Sequence, residues 1–244
     1  MRCSFRFGPA VPPAVAEYRR PHAAGYGEPV RDYADQRARM VDRQLRRRGI
    51  EDERVLAAMA EVPRELFVPE EMRSRAYRDG ALPIGEGQTI SQPWVVAAMC
   101  QALELRGSEQ VLDVGSGSGY STAVLARLAA RVIGIERHEA LVRRARAVLA
   151  QLEIANAEIR AGDGTLGAPG DAPFEGIAVA ATAPAPPPSL ITQLADGGRL
   201  VIPIAGRGAD MLTVYARHGA ELAKREVAPC RFVPLLGEEG FRES

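Results

Sequence analysis

A chain of 244 residues, 46% of them hydrophobic, is long enough for one α/β domain of ordinary size plus a tail and requires no second domain. Lys and Arg together number 31, as do Asp and Glu, so no long-range field favours a nucleic acid or an anionic membrane as partner. Three cysteines (Cys3, Cys100 and Cys230) without C-x-x-C spacing suggest neither a disulfide framework nor a metal site and fit a reducing, cytoplasmic setting.

No apolar run nears the ~20 residues that span a bilayer, so a soluble protein is expected. Pro9, Pro12, Pro13, Pro21 and Pro29 punctuate the start of the chain, which shows no sustained period. Residues 1–34 are therefore expected to be a disordered extension, ahead of one domain over 35–244. The segment V-P-P-A-V-A is too short and too proline-broken for a secretory signal; an Arg-rich, acid-poor transit peptide is the alternative. From Asp35 to Arg48 the pattern is helical, with Asp35 as the cap, Val41 and Leu45 on one face, a basic last turn and Gly49 as the stop. A second helix over Glu51 to Glu61 turns Val55, Leu56 and Met59 inward, Pro63 stops it, and Pro63 to Pro69 reads as an irregular segment burying Leu66 and Phe67. Tyr77 to Trp94 is a loop rich in Gly, Pro and hydroxyls, and long loops of this kind are usually functional. Val95 to Leu105 is a helix that delivers the chain to a strand at Gln110.

Val111 to Tyr120, V-L-D-V-G-S-G-S-G-Y, reads as a buried strand, a tight turn and a helix start. Gly115, Gly117 and Gly119 suit a backbone that turns sharply with a ligand lying against it. A dinucleotide fingerprint, G-x-G-x-x-G, would have glycine where Tyr120 stands, so a pyrophosphate is disfavoured. The next strand, Arg131 to Glu136, ends about 20 residues on in a carboxylate suited to ribose hydroxyls. The pocket therefore reads as one for an adenosine without a pyrophosphate. The chain continues with a helix over Glu139 to Leu152, a strand over Ala157 to Ala161, the turn Gly162-Asp163-Gly164 and a strand over Ile177 to Ala181. A Ser189-capped helix, a strand over Gly198 to Ile204 and a closing hairpin of Met211 to Tyr215 with Glu226 to Val233 complete it. This alternation predicts an α/β fold: a doubly wound, mostly parallel sheet with N-terminal helices and a C-terminal β-hairpin, binding its ligand at the carboxyl ends of the strands.

Asp113, the glycine loop and Glu136 in this register resemble class I S-adenosylmethionine-dependent methyltransferases, which have a Rossmann-like fold. The loop segment L-P-I-G-E-G-Q-T-I-S-Q-P (Leu82 to Pro93) goes further and resembles the signature of protein-L-isoaspartate O-methyltransferases. Similar to the same family are Met40 to Ile50, V-P-R-E-L-F-V-P (Val62 to Pro69), G-D-G-T-L-G (Gly162 to Gly167) and R-F-V-P-L (Arg231 to Leu235), so the likeness runs in order from about residue 35 to 241. The resemblance implies a repair enzyme that methylates the α-carboxyl of L-isoaspartyl residues in proteins and peptides, with S-adenosyl-L-methionine as cofactor.

Carried across by position, the resemblance makes Ser91 the catalytic serine and sets Thr89, Ile90 and Gln92 at the boundary of cofactor and substrate. Asp113, Gly115 and Gly117 would face the cofactor, Glu136 its ribose, and Asp163 with Gly164 its adenine, while Arg231, Phe232, Val233, Pro234 and Leu235 would line the substrate groove. No metal, nucleic acid or membrane is expected, and a monomer is. Two positions depart from the family pattern: Glu175 stands where Asp is more usual, and Thr182 comes later than the usual V-T-A hydroxyl; both are expected at the cofactor edge. Trp94 either walls the cleft or is a buried aromatic at a helix start. A carboxylate acceptor is already ionised and needs no general base, in keeping with histidines (His22, His138, His218) that suggest no triad. The rivals are a methyltransferase for another carboxylate, a small molecule or RNA; a dinucleotide oxidoreductase; and a silent binding module.

Overall fold

The computed structural model describes residues 32–242; most of the expected disordered extension, together with Cys3 and His22, lies outside the described residues. The first helix, α1 (Tyr33–Met40), starts ahead of Asp35 because Asp32 is the cap, its carboxylate accepting the Asp35 N–H at 3.0 Å. Beyond Met40 the helix widens into a π turn over Val41–Leu45, tightens into a 3-10 turn over Arg46–Arg48 and stops at Gly49 in the left-handed region, φ +87°. Each arginine of that basic turn has a carboxylate: Arg46 pairs with Glu53, Arg47 with Asp42 and Arg48 with Asp79. The second helix, α2 (Glu53–Glu61), is capped by Asp52 and buries Val55, Leu56 and Met59.

In the segment after Pro63, Phe67 is buried but Leu66 only half so, and the side chain taken fully inside is Arg64. The long loop holds a small antiparallel hairpin, β1 (Leu82–Gly85) with β2 (Gln88–Ile90), before α3 (Pro93–Leu103). Then β3 (Gln110–Val114), α4 (Tyr120–Ala126), β4 (Arg131–Glu136), α5 (Glu139–Gln151) and β5 (Ala157–Ala161) lie within a residue or two of their expected places. The strand β6 (Phe174–Val179) begins earlier than expected, because Phe174 is fully buried and its N–H bonds Gln193 O at 2.8 Å.

Ser189 is not a cap. The short α6 (Pro188–Thr192) starts after Pro187, and Ser189, one turn position inside, donates from N and Oγ to the Glu239 carboxylate, each at 2.8 Å. Last come β7 (Leu194–Ile204), β8 (Asp210–His218) and β9 (Glu221–Cys230). The β8–β9 hairpin is longer than expected, and β9 ends before Arg231. As an edge strand with its first six residues exposed, β9 lacks the apolar alternation that reveals a strand.

The main sheet has the order β5-β4-β3-β6-β7-β8-β9, parallel from β5 through β7 and antiparallel for the last two pairings. Alternation along the strands divides the core in two. Val111 and Val132 face α1 to α5, while Leu112, Val114, Ile133 and Ile135 face the side of α6. The chain runs outward from β3 to β4 and β5, then returns to lay β6 on the other flank of β3. That reversal opens a crevice beyond the carboxyl ends of β3 and β6, where a doubly wound sheet binds its ligand.

Candidate active site

The crevice is a cavity of about 420 Å³, and its wall includes Gly115, Ser116, Gly117, Glu136, Gly164, Thr89, Ile90, Ser91, Gln92 and all of Arg231 to Leu235. Gly115 and Gly117 adopt φ +75° and +54°, conformations a side chain disfavours, as the tight turn after β3 demands. Gly115 N and Ser116 N both donate to Ile135 O, at 2.8 and 3.2 Å, which ties the loop to the end of β4. There Glu136, 5% exposed, accepts Gly117 N on Oε2 and His138 N on Oε1, each at 2.9 Å. Its carboxylate thus pins the glycine loop, a function the spacing does not reveal, and keeps a lone pair on each oxygen for a ligand.

Asp113 is fully buried and lines the same wall. Its Oδ2 accepts Thr122 Oγ1 at 2.6 Å and Ser121 Oγ at 2.8 Å, whereas its Oδ1 has no partner among the described residues, nor has the Ser116 hydroxyl. Burial lifts the Asp113 pKa to about 6, against the two hydroxyls, with the Glu136 charge adding to the rise. A buried carboxylate oxygen left unbonded beside a cavity is a costly arrangement, and a ligand with hydrogen-bond donors relieves it. The residues present therefore fit an amino-acid-bearing nucleoside: an orphaned acceptor, a glycine loop and a strand-end carboxylate.

Asp163 departs from expectation: the structure does not bring it to this cavity. Its Oδ1 accepts Thr165 N at 2.8 Å and Thr165 Oγ1 at 2.7 Å, and its Oδ2 accepts Glu238 N at 2.8 Å. Burial alone would raise its pKa, but the Glu238 N–H and the Thr165 donors hold it below the usual carboxylate value. It borders a smaller neighbouring cavity of about 220 Å³ with Arg137 and Leu236, which also line the main one. Gly164 does reach the main wall, packed so closely that a Cβ there would lie 2.6 Å from Val114 Cγ1.

Ser91 follows β2 directly and is half-buried, and its hydroxyl makes no hydrogen bond among the described residues. Ser91 O accepts Arg64 Nη2 at 2.7 Å. Gln92 donates to Asp79 Oδ1 at 2.6 Å, and Gln88 Nε2 lies 3.4 Å from His138 Nε2, bringing the hairpin against the turn after Glu136. Trp94 walls the cavity: its Nε1 donates to Arg48 O at 3.0 Å, and the Arg48 guanidinium lies over its ring at 5.4 Å. Arg48 and Asp79 join this rim, and no motif spacing announces either of them.

Opposite stands the segment after β9. Val233 O accepts Thr182 N at 2.8 Å, and Leu235 N donates to Thr182 O at 2.7 Å, so Arg231 to Leu235 is held by a strand-like bridge at Pro234. The departure at Thr182 is thereby explained: its hydroxyl donates to Asp210 Oδ2 at 2.7 Å and fixes that bridge to the start of β8. Glu175 is not at the cofactor edge. It accepts Gln110 N at 2.8 Å, at the amino ends of β6 and β3, across the sheet from the cavity.

The profile of the family described as protein-L-isoaspartate(D-aspartate) O-methyltransferase matches residues 35–240. Protein-L-isoaspartate O-methyltransferase 1 of Rhodopseudomonas palustris is 53% identical over 211 residues, 86% of either chain. The protein-L-isoaspartate O-methyltransferase of Halorhodospira halophila is 53% identical over 219 residues, 89% of this chain and 98% of that one. Among solved structures, a protein-L-isoaspartate O-methyltransferase superposes with a TM-score of 0.75 at 27% identity, covering 84% of this chain and 67% of that one. A Plasmodium falciparum protein of the same description, in complex with S-adenosyl-L-homocysteine, superposes with a TM-score of 0.71 at 27% identity over 82% and 98% of the two chains. The chain, matched by that profile over nearly all its described residues, belongs to the protein-L-isoaspartate(D-aspartate) O-methyltransferase family.

Proposed function

We infer that the chain transfers a methyl group from S-adenosyl-L-methionine to the α-carboxyl of L-isoaspartyl residues in damaged proteins and peptides. The observation that carries this is the meeting of two distant segments on one cavity wall: the glycine loop with Glu136, and the Thr89-Ile90-Ser91 end of the hairpin. The cofactor, when bound, supplies an electrophilic methyl on a sulfonium. Gly115 and Gly117 let the backbone lie against its amino-acid end, Asp113 Oδ1 accepts from its ammonium, and Glu136 accepts from its ribose. Gly164 backs the adenine, with Asp163 acting from behind through the chain it ties down.

On the acceptor side, Arg231 to Leu235 runs beside the substrate backbone. The Ser91 hydroxyl donates to one carboxylate oxygen and turns the other toward the methyl carbon. An O–C bond forms as the C–S bond breaks, the bonding pair stays on sulfur, and no proton moves. The chain's task is one of orientation and of excluding water from an ionised acceptor.

The test is incubation with methyl-labelled cofactor and paired peptides that differ only in isoaspartate or aspartate. Base-labile label on the isoaspartyl peptide alone is the expected result, and label on neither peptide or on both equally would sink the reading. Ser91→Ala should lower kcat by about 10- to 100-fold, the value of one hydrogen bond to a charged group, with cofactor affinity retained. Loss of cofactor binding would refute the orienting role. The free thiols Cys100 and Cys230 support a reducing cytoplasm. A monomer is supported by Leu222 being the one exposed large hydrophobic among the described residues. No helix of the described residues is long and apolar enough to cross a membrane.

A further inference from the structure

We propose that Arg64 is the positioning residue for the Ser91 hydroxyl, its guanidinium fixing the backbone of Ser91, directly behind the β1–β2 hairpin, to the turn that ends at Ala76 and to the start of α4; this rests on the reading of Ser91 as the group that orients the acceptor carboxylate. The Arg64 side chain is 0% exposed. Its Nε donates to Ala76 O at 2.8 Å, ahead of the hairpin, and its Nη2 donates to Ser91 O at 2.7 Å, directly behind it. One planar fork thus ties the exit of the hairpin that carries Thr89 and Ile90 to the turn that closes at Ala76.

On its face the guanidinium carbon lies 4.8 Å from the ring centroid of Tyr120, the residue that opens α4 straight after the glycine loop. That ring is itself wedged, edge-on to Phe67 at 5.5 Å and with its hydroxyl 3.6 Å from Met59 Sδ. Arg64 therefore joins the acceptor side of the cavity to the cofactor side without lining either.

Core filling alone does not account for this side chain. Among the described residues no carboxylate stands in ion-pair range of it, and its Nη1 has no hydrogen-bond partner. Burying a cation without a counter-ion is strongly unfavourable, and a methionine of similar length would fill the space without that cost. What the guanidinium adds is direction. With Nη2 on Ser91 O, a charge-assisted hydrogen bond fixes the serine's backbone, and with it the Cα–Cβ bond from which the hydroxyl projects.

The experiment combines Arg64→Lys, which keeps the charge and loses the fork, with Ser91→Ala and the double variant. It reads kcat at saturating isoaspartyl peptide, KM, and affinity for S-adenosyl-L-homocysteine. Arg64→Lys should lower kcat by about tenfold or more while leaving that affinity unchanged. In the Ser91→Ala background the same change should cost little further, since its effect passes through the missing hydroxyl. Losses that multiply in the double variant, or an equal fall in cofactor affinity, would assign Arg64 to general stability and overturn the proposal. Failure of both Arg64→Lys and Arg64→Gln to fold would do the same. Wild-type kcat in Ser91→Ala would remove the reading beneath the proposal, whereas a slow Ser91→Ala beside a fully active Arg64→Lys would remove the proposal alone.

Discussion

Glu136 shows how one side chain serves scaffold and ligand together. With Gly117 N on one oxygen and His138 N on the other, its carboxylate fixes the loop that backs the cofactor and still offers acceptors to the ribose. Glu136→Ala should weaken S-adenosyl-L-homocysteine binding by about 1–3 kcal/mol, read by calorimetric titration. Glu136→Gln, with one acceptor oxygen for two N–H groups, should fall between. An unchanged dissociation constant in Glu136→Ala would make the residue a strand-end charge and nothing more. Its place is legible in sequence because strand length and crossover length fix where a second strand ends. Its bond to Gly117 is not, since that depends on how far the loop folds back. Arg64 is less legible still: an arginine beside a proline reads as surface, and only the packed structure puts it inside.

Elements with buried faces follow their periodicity, and those without do not. In the run from β3 to β5, β3 and β4 are buried on both faces and β5 turns Ile159 inward, and the bounds come within a residue or two of expectation. The β1–β2 hairpin escapes because β2 has three residues, too few to establish a period, and β9 escapes because it faces water. The chain after Leu235 escapes for another reason, being held by one isolated bridge and by side chains instead of a ladder: Asp163 takes Glu238 N, Thr165 Oγ1 takes Glu239 N at 3.2 Å, and Ser189 holds the Glu239 carboxylate. This strap brings Leu236 to the cavity wall. If Asp163 acts through the strap, Asp163→Asn and Glu239→Gln should both weaken cofactor binding, each by about 1 kcal/mol, and both should speed proteolysis near residue 238 in the cofactor-free enzyme. A direct adenine contact predicts otherwise, with Asp163→Asn alone changing affinity.

At the scale of the whole molecule, stability and cofactor binding meet in Asp113. Its carboxyl titrates near 3.9 in the unfolded chain and at about 6 when folded without ligand. Between those values the folded state holds the extra proton, so this group makes the cofactor-free protein less stable as pH rises from about 4 to about 6. A cation placed on Oδ1 reverses the preference and draws the ionised form. Binding of S-adenosyl-L-homocysteine, which carries the same ammonium as the methyl donor, should therefore tighten as pH rises from 5 to 7. At one hundred times its dissociation constant a ligand stabilises by about 2.7 kcal/mol, which for a domain of this size raises the melting temperature by about 5–10 °C. At a fixed ligand concentration that rise should be larger at pH 7 than at pH 5, and Asp113→Asn should both shrink it and flatten its pH dependence. An equal rise at the two pH values would mean that the unbonded oxygen does not meet the ammonium. A pH dependence that survives in Asp113→Asn would move the titration to another group on the wall.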